Sequence, residues 1–495
     1  MNIAQNVERG RRFFPNKVAL IFEGKSFTYT QLDDMVNRAA NALRGLGIER
    51  GDRVALLLPN IPEFVISYLA IQKIGAVAVS LNVMLKRDEI KFILDDSGSI
   101  ALITTEELAA NVPAQDLPCL KHFLIAEGAA AGATSLHELM AKASSRAHAL
   151  EMERSDAAAI VYSSGTTGFP KGVTLSHGNV VSNMYSKNHY CGMRPDDALL
   201  LSVPLFHCFG QNAVLNSGLN ACATLVLHRD YELGGLLRSI ATHNVTMFFG
   251  VPTTYILLLN SPPPSELKTV RYYFSAAAPM PVEIAQRWLD RHGIVINEGY
   301  GLTESSPFAS YNHDIEYRLG SIGTPIENVE MKVVDDGGQE VAPGEPGEIV
   351  IRGPNVMLGY WNRPEETAQV IKNGWLHSGD IGKIDDKGYY YLVDRVKDMV
   401  NVAGLKVYPV EVENVIHGHP AVAEVAVYGM PDAVTGERVA AKIVLKAGQI
   451  VTEGEILAFC RNRIAVFKVP SDIEFVASLP KSPTGKVLKR RLRGE

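Results

Sequence analysis

Cysteine is scarce in this chain and long apolar runs are missing, and each shortage excludes something. Five cysteines occur among 495 residues (Cys119, Cys191, Cys208, Cys222 and Cys460), widely scattered and without a C-x-x-C pair. That argues against a disulfide framework or a zinc site and fits the reducing cytoplasm. Nowhere do 18 uninterrupted apolar residues occur, and the opening MNIAQNVERGRRFF lacks the apolar core of a signal peptide. Neither a membrane span nor secretion is expected. Positive charge is short as well: 48 Lys and Arg stand against 54 Asp and Glu, a net −6. Nucleic acid and anionic membranes therefore find no bulk attraction, and small molecules are the expected partners. Internal repeats, low-complexity tracts and a peroxisomal or retention tag at Arg493-Gly494-Glu495 are absent too.

What is present is an ordinary globular composition, 46% hydrophobic and 21% charged, in a chain longer than one core usually supports. Two or more domains follow. Thr30 opens a segment in which Leu32, Met35, Val36, Ala39 and Leu43 recur at helical spacing before Gly45 and Gly47. Residues 53–59 then read as a buried strand, and β-like 99–105 follows another helical stretch. Such alternation predicts parallel sheets flanked by helices. Past residue 318, KVVDDGGQEVAPGEPGEIVIRG and GKIDDKGYYYLVDR place Asp-Asp and Gly between apolar runs, which predicts hairpins and a β-rich subdomain over about 318–394. Beyond Asp398 a Pro409-started helix, strands near 421–428 and 438–446, and a helix carrying Ile456, Leu457, Cys460 and Ile464 predict a compact α+β domain. The expected class is α/β: a large N-terminal domain of helix-flanked sheets with that subdomain, 1–396, and a small α+β C-terminal domain, 397–495.

The stretch from Tyr162 to Gly172, YSSGTTGFPKG, is composed for phosphate. Glycines let backbone N–H groups converge on a ligand, hydroxyls donate further hydrogen bonds and lysine supplies charge. A Walker loop is excluded, because counting from Gly165 the required second glycine falls on Pro170. Gly165, Gly168 and Gly172 instead suit a loop that closes over a polyphosphate and opens again, with Ser163, Ser164, Thr166, Thr167 and Lys171 as its donors. Tyr300-Gly301-Leu302-Thr303-Glu304 gathers an aromatic for stacking, a hydroxyl for a phosphate oxygen and a carboxylate for Mg²⁺. His377-Ser378-Gly379-Asp380 offers a carboxylate to ribose hydroxyls.

Together with SAAAP at 275–279, DRVKD at 394–398 and PKSPTGK at 480–486, these stretches resemble the adenylate-forming enzymes, in order and spacing, over essentially the whole chain. That superfamily holds acyl-CoA synthetases, 4-coumarate:CoA ligases, nonribosomal peptide adenylation domains and firefly luciferase. The resemblance implies a carboxylate attacking the α-phosphate of ATP with loss of pyrophosphate, then capture of the acyl adenylate by a thiol. It implies that Lys171, Ser163, Thr166 and Thr167 hold the outer phosphates, Thr303 the α-phosphate and Glu304 the Mg²⁺. Tyr300 would stack on adenine, Asp380 and Arg395 would bind the ribose, and Ala277 and Ala278 would border the adenine and acyl pockets. Lys486 matches the adenylation lysine of a mobile C-terminal domain, Lys397 its hinge, and Gly404 the position past which the pantetheine arm enters.

For the acid, the resemblance implies a role for His207 beside the carboxylate, with Phe209, Gly210 and Gln211 in the acyl pocket. His207 stands where amino-acid-activating relatives carry an aspartate, so an unpaired α-ammonium would be costly to bury and amino acids are disfavoured. The Phe209-Gly210 pair is similar to that of bacterial fatty acyl-CoA synthetases, which points to a medium- or long-chain fatty acid. Ala276 and Ala277, in place of two glycines, narrow the pocket and keep aryl acids in view. With 13 residues between Glu304 and Arg318 and no evident insertion, CoA is the expected acceptor, and the phosphopantetheine of a carrier protein is the alternative.

Overall fold

Thr28, not Thr30, starts the first long helix. Its hydroxyl accepts the Gln31 N–H while the Gln31 side chain takes the Thr28 N–H, a reciprocal cap that extends the helix to Tyr29–Gly45. Leu32, Val36, Ala39 and Leu43 are buried on its inner face, as their spacing predicts.

The computed structural model describes the chain except residues 164–169, 260–264, 314–315, 396–397, 403–404, 433, 483–486 and 494–495. Ser164, Gly165, Thr166, Thr167, Gly168, Lys397, Gly404 and Lys486 lie outside the described residues, and so does the side chain of Arg395.

Among the described residues there are four sheets. An eight-stranded sheet runs in parallel through Val77–Ser80, Arg53–Leu57, Ala101–Thr105 and His122–Glu127, with Ala157–Ser163 beside Val77–Ser80. A nine-stranded sheet is parallel through Thr224–Leu227, Ala198–Leu201, Met247–Gly250, Tyr272–Ser275 and Ile296–Gly301. These two sheets with their helices form the large N-terminal domain and share one core, in which Leu56, Phe64, Leu69, Leu199 and Phe274 are buried. The β-rich subdomain is a five-stranded antiparallel sheet built on Glu330–Val334, Gly347–Arg352, Trp375–Ile384 and Tyr390–Arg395.

One short strand from the same stretch, Gly359–Tyr360, leaves the subdomain and pairs with Lys171–Ser176 of the eight-stranded sheet. It ties the subdomain to the phosphate loop. The smaller C-terminal domain has its own core, with Val412, Ile416, Val427, Ile443, Ile456 and Cys460 buried between the helix Pro409–His417, the paired strands Val422–Asp432 and Gly436–Leu445, and the helix Glu453–Arg461. No helix of the described residues is long and apolar enough to cross a membrane.

Candidate active site

Parallel strands place ligands beyond their carboxyl ends, and the sequence motifs gather there. SAAAP follows Tyr272–Ser275 and the Tyr300–Glu304 motif follows Ile296–Gly301, adjacent strands in register at Ser275 and Glu298. His207 follows Ala198–Leu201 in the same sheet, and the phosphate loop follows Ala157–Ser163 in the other.

That loop closes a hairpin: Ser163 is paired with Lys171 and Tyr162 with Gly172, antiparallel. A strand, not a helix, comes next, so this loop does not lead into a helix N-terminus as a Walker loop does, and Lys171 is the charge of the motif. Lys171 is ion-paired with Glu366 and its ammonium lies 5.1 Å from the Tyr360 ring centre. The Tyr360 hydroxyl donates to Glu304 Oε1 at 3.0 Å. Burial and the nearby carboxylate raise the Tyr360 phenol, keeping it a donor. Tyr360 thus joins the two charges on which phosphate chemistry would depend. Its signal in the sequence is Gly359-Tyr360-Trp361, but only the strand exchange reveals its neighbours.

The Thr303–Ser305 turn is held from behind. Asn183 and Asn355 both donate to the carbonyls of Ser305 and Phe308, and the Met357 N–H donates to the Glu304 carbonyl. The Tyr300 hydroxyl donates to Asp380 Oδ2 at 2.9 Å in the interior, so the expected adenine-stacking residue also orients the expected ribose ligand. Asp380 pairs across the sheet with Arg395, which brings both ribose candidates to one rung. Ala278 is half-buried beside Ala277, whose φ is +72°. Carrying a methyl in that left-handed region costs of order 1 kcal/mol, so the backbone is strained at the corner expected to border the adenine and acyl pockets.

On the acyl side, His207 is half-buried and its Nδ1 accepts the Phe209 N–H at 3.2 Å, which leaves the proton of the neutral ring on Nε2. The next thiol, Cys208, is fully buried and bonded to Thr303, and burial raises it far above thiolate range. The segment Phe209–Asn216 winds as a π-helix, a form frequent at functional sites. The Phe209 ring packs 6.0 Å from those of both Phe274 and Phe308, which are 5.3 Å apart, and all three are buried. A Cβ on Gly299 would overlap the rings of Phe274 and Phe308, so the glycine lets both rings pack down onto its strand.

Gly210 and Gln211 each have a contact within the protein. A Cβ on Gly210 would overlap the Pro204 carbonyl, so its smallness serves close backbone packing. Gln211 turns its amide to Ser80 Oγ at 2.7 Å, on the neighbouring sheet.

Glu298, on the strand leading into Tyr300, escaped the motif reading. It is buried, shares a hydrogen bond with Tyr317, and keeps Oε1 without a partner among the described residues. Burial pushes its carboxyl from 4.5 up to about 8, so the folded protein holds this proton more tightly than the unfolded chain. The stability it contributes is full below the ordinary carboxyl value and is lost as pH climbs toward 8. Urea midpoints at pH about 5 and about 8 should show a loss of stability of a few kcal/mol that Glu298→Gln reduces.

The AMP-binding enzyme family matches residues 7–361, and the AMP-binding enzyme C-terminal domain matches residues 411–486. The chain belongs to the AMP-binding enzyme family. It is 38% identical over 489 residues to the feruloyl-CoA synthase of Amycolatopsis sp, covering 98% of this chain and 97% of that one. The long-chain-fatty-acid–CoA ligase of Escherichia coli O157:H7 is 36% identical over 520 residues, covering 97% and 92%. Among solved structures, an anthranilate CoA ligase in complex with anthranoyl-AMP superposes with a TM-score of 0.95 at 33% identity, covering 100% of this chain and 97% of that one. A benzoate CoA ligase from Burkholderia xenovorans LB400 gives 0.92 at 30%, covering 100% of both. This protein is accordingly an adenylate-forming acid–thiol ligase that uses ATP and CoA, and the two-domain α/β architecture expected from the sequence is the one observed.

Proposed function

We propose that this ligase activates an aromatic carboxylic acid. The observation that supports the reading is the buried aromatic cluster of Phe209, Phe274 and Phe308, joined to His207 through the Phe209 N–H, whose ring faces suit stacking by a planar acid. The feruloyl, anthranilate and benzoate specificities named for its relatives agree with it. A medium- or long-chain fatty acid is the second reading, favoured by the 36% identical Escherichia coli relative.

In the first half-reaction a carboxylate oxygen of the acid attacks the α-phosphorus of ATP and the bond to the pyrophosphate oxygen breaks. Two anions meet, so charge is the obstacle. Lys171 holds the leaving pyrophosphate with the hydroxyls of Ser163, Thr166 and Thr167, and must first give up Glu366. Thr303 and Lys486 meet the α-phosphate, and Asp380, Tyr300 and Arg395 hold the nucleoside. His207 offers its Nε2 proton to the acid's carboxylate.

Glu304 suits Mg²⁺, which is commonly held by one or two carboxylates together with substrate phosphates. When bound, the metal would offset phosphate charge. In the second half-reaction the CoA sulfur bonds to the acyl carbon, the carbon–oxygen bond to AMP breaks and the thiol proton is released. Lys397 and Gly404 have their roles here, in turning the C-terminal domain and admitting the pantetheine arm. Gly404→Trp should therefore leave acid-dependent pyrophosphate exchange within about threefold while cutting acyl-CoA formation at least tenfold. Equal loss of both would remove Gly404 from that passage.

The substrate class is tested by acyl-CoA formation across benzoates, cinnamates and straight-chain acids of graded length. Aryl acids are expected to exceed the best alkanoic acid at least about tenfold in kcat/KM. A preference rising with each added methylene would install the fatty-acid reading.

A further inference from the structure

The helix His177–Cys191 is started by Ser176, whose hydroxyl accepts the Asn179 N–H, and it lays one stripe of residues four apart toward the site: Asn179, Asn183, Lys187 and Cys191. Three of them have partners. Asn179 donates to the carbonyls of Pro354 and Val356, Asn183 to those of Ser305 and Phe308, and the Cys191 thiol to the Tyr272 hydroxyl. Lys187 is the exception. It has no exposed surface, and its ammonium has no hydrogen-bond partner among the described residues.

Among the described residues, aromatic faces meet that ammonium: the ring of Phe249 at 4.2 Å and that of Phe274 at 5.9 Å. Cation–π contact recovers about 2 kcal/mol, well short of what burying an unpaired ammonium costs. A second donor points the same way. The hydroxyl of Tyr311, whose ring packs 5.5 Å from Phe274 and 5.0 Å from Phe308, is also buried without a partner among the described residues.

The location is fixed by the helix. Asn183 grips the backbone of Ser305 and Phe308, next to the Thr303–Glu304 turn, and Lys187 lies one turn, about 5.4 Å, farther along. Phe274 is the shared wall, with Phe209, Phe308 and Gly299 about it and Lys187 beyond. Lys187 and Tyr311 thus border the same aromatic cluster that His207 reaches through Phe209.

We propose that Lys187 and Tyr311 form a specificity site for a hydrogen-bond-accepting oxygen at the far end of the acid, a ring hydroxyl or a second carboxylate. The inference rests on the aryl reading above. Oxygen at that position satisfies two buried donors at once, whereas a methyl group leaves both unpaired, and such sites reject the analogue that lacks the acceptor.

The test compares kcat/KM for acyl-CoA formation with benzoates and cinnamates carrying 4-hydroxy, 4-carboxy, 4-methyl or no substituent, using the full-length enzyme. The wild type should favour a 4-oxygen acid over its 4-methyl partner at least about tenfold, with the hydroxy and carboxy arms telling which oxygen is taken. Lys187→Met should bring that ratio to within about threefold of one, chiefly through KM, while the unsubstituted acid is still turned over. Tyr311→Phe should reduce the ratio less. A wild type that prefers the methyl acid, or a Lys187→Met enzyme that keeps the ratio, overturns the proposal. If Lys187→Met does not fold, the wild-type ratio and Tyr311→Phe decide it. Unsubstituted aryl acids that react without any 4-oxygen preference sink this site alone, whereas no turnover of any aryl acid sinks the aryl reading.

Discussion

Replacing Lys486 by alanine is expected to lower acid-dependent ATP–pyrophosphate exchange at least about 10²-fold, as removal of one preorganised charge-stabilising donor does elsewhere. The reason is the pairing of two anions at the α-phosphate, a place the proposal gives to Lys486, while Lys171 is assigned to the outer phosphates and starts from an ion pair with Glu366. The loss should fall on kcat rather than on KM for ATP, because a charge met in the transition state is removed while the nucleotide keeps its other contacts. Acyl-CoA formation from separately supplied acyl-AMP should be nearly unchanged, since the proposed roles give this lysine no part in the second half-reaction. Near wild-type exchange would remove Lys486 from the adenylation step.

Glu304→Gln is expected to produce a loss of similar size, about 10²-fold in exchange, by weakening the hold on a metal that stabilises phosphate charge. The isosteric amide keeps an oxygen for the Tyr360 hydroxyl, so the fold around the turn should survive. Its signature would be a higher Mg²⁺ concentration for half-maximal exchange. Tyr360→Phe, which leaves the carboxylate and the ring under Lys171, should cost much less, about tenfold or below. An unaltered Mg²⁺ dependence in Glu304→Gln would take the metal away from this carboxylate.

Local signals made much of the architecture legible. Helical spacing from Leu32 to Leu43, the strand expected over 53–59 and found at Arg53–Leu57, and Pro409 at a helix start each depend on signals within a few residues. The cap moved from Thr30 to Thr28 because the partner at the third helical position is Gln31, a contest between two threonines that spacing alone does not decide. What stayed hidden depends on contacts across the chain. Tyr360 reaches Glu304 only because its strand crosses to another sheet, and Glu366 meets Lys171 for the same reason.

Gly210 shows the opposite case, where a motif position was readable and its physical reason was not. A small residue beside Phe209 reads as an opening for an alkyl chain, yet its missing Cβ would point at the Pro204 carbonyl, a contact that the sequence does not show. Lys187 was missed for a related reason. In sequence it is one lysine among 48 Lys and Arg, and only complete burial between Phe249 and Phe274 distinguishes it.

The central claim, ATP-dependent adenylation of an aromatic acid, is most directly tested by pyrophosphate exchange into ATP with no CoA present, comparing aryl acids with straight-chain acids. The account predicts exchange that depends on the added acid, is fastest with aryl acids and needs no thiol. Exchange with straight-chain acids alone, or none with any acid, would contradict it.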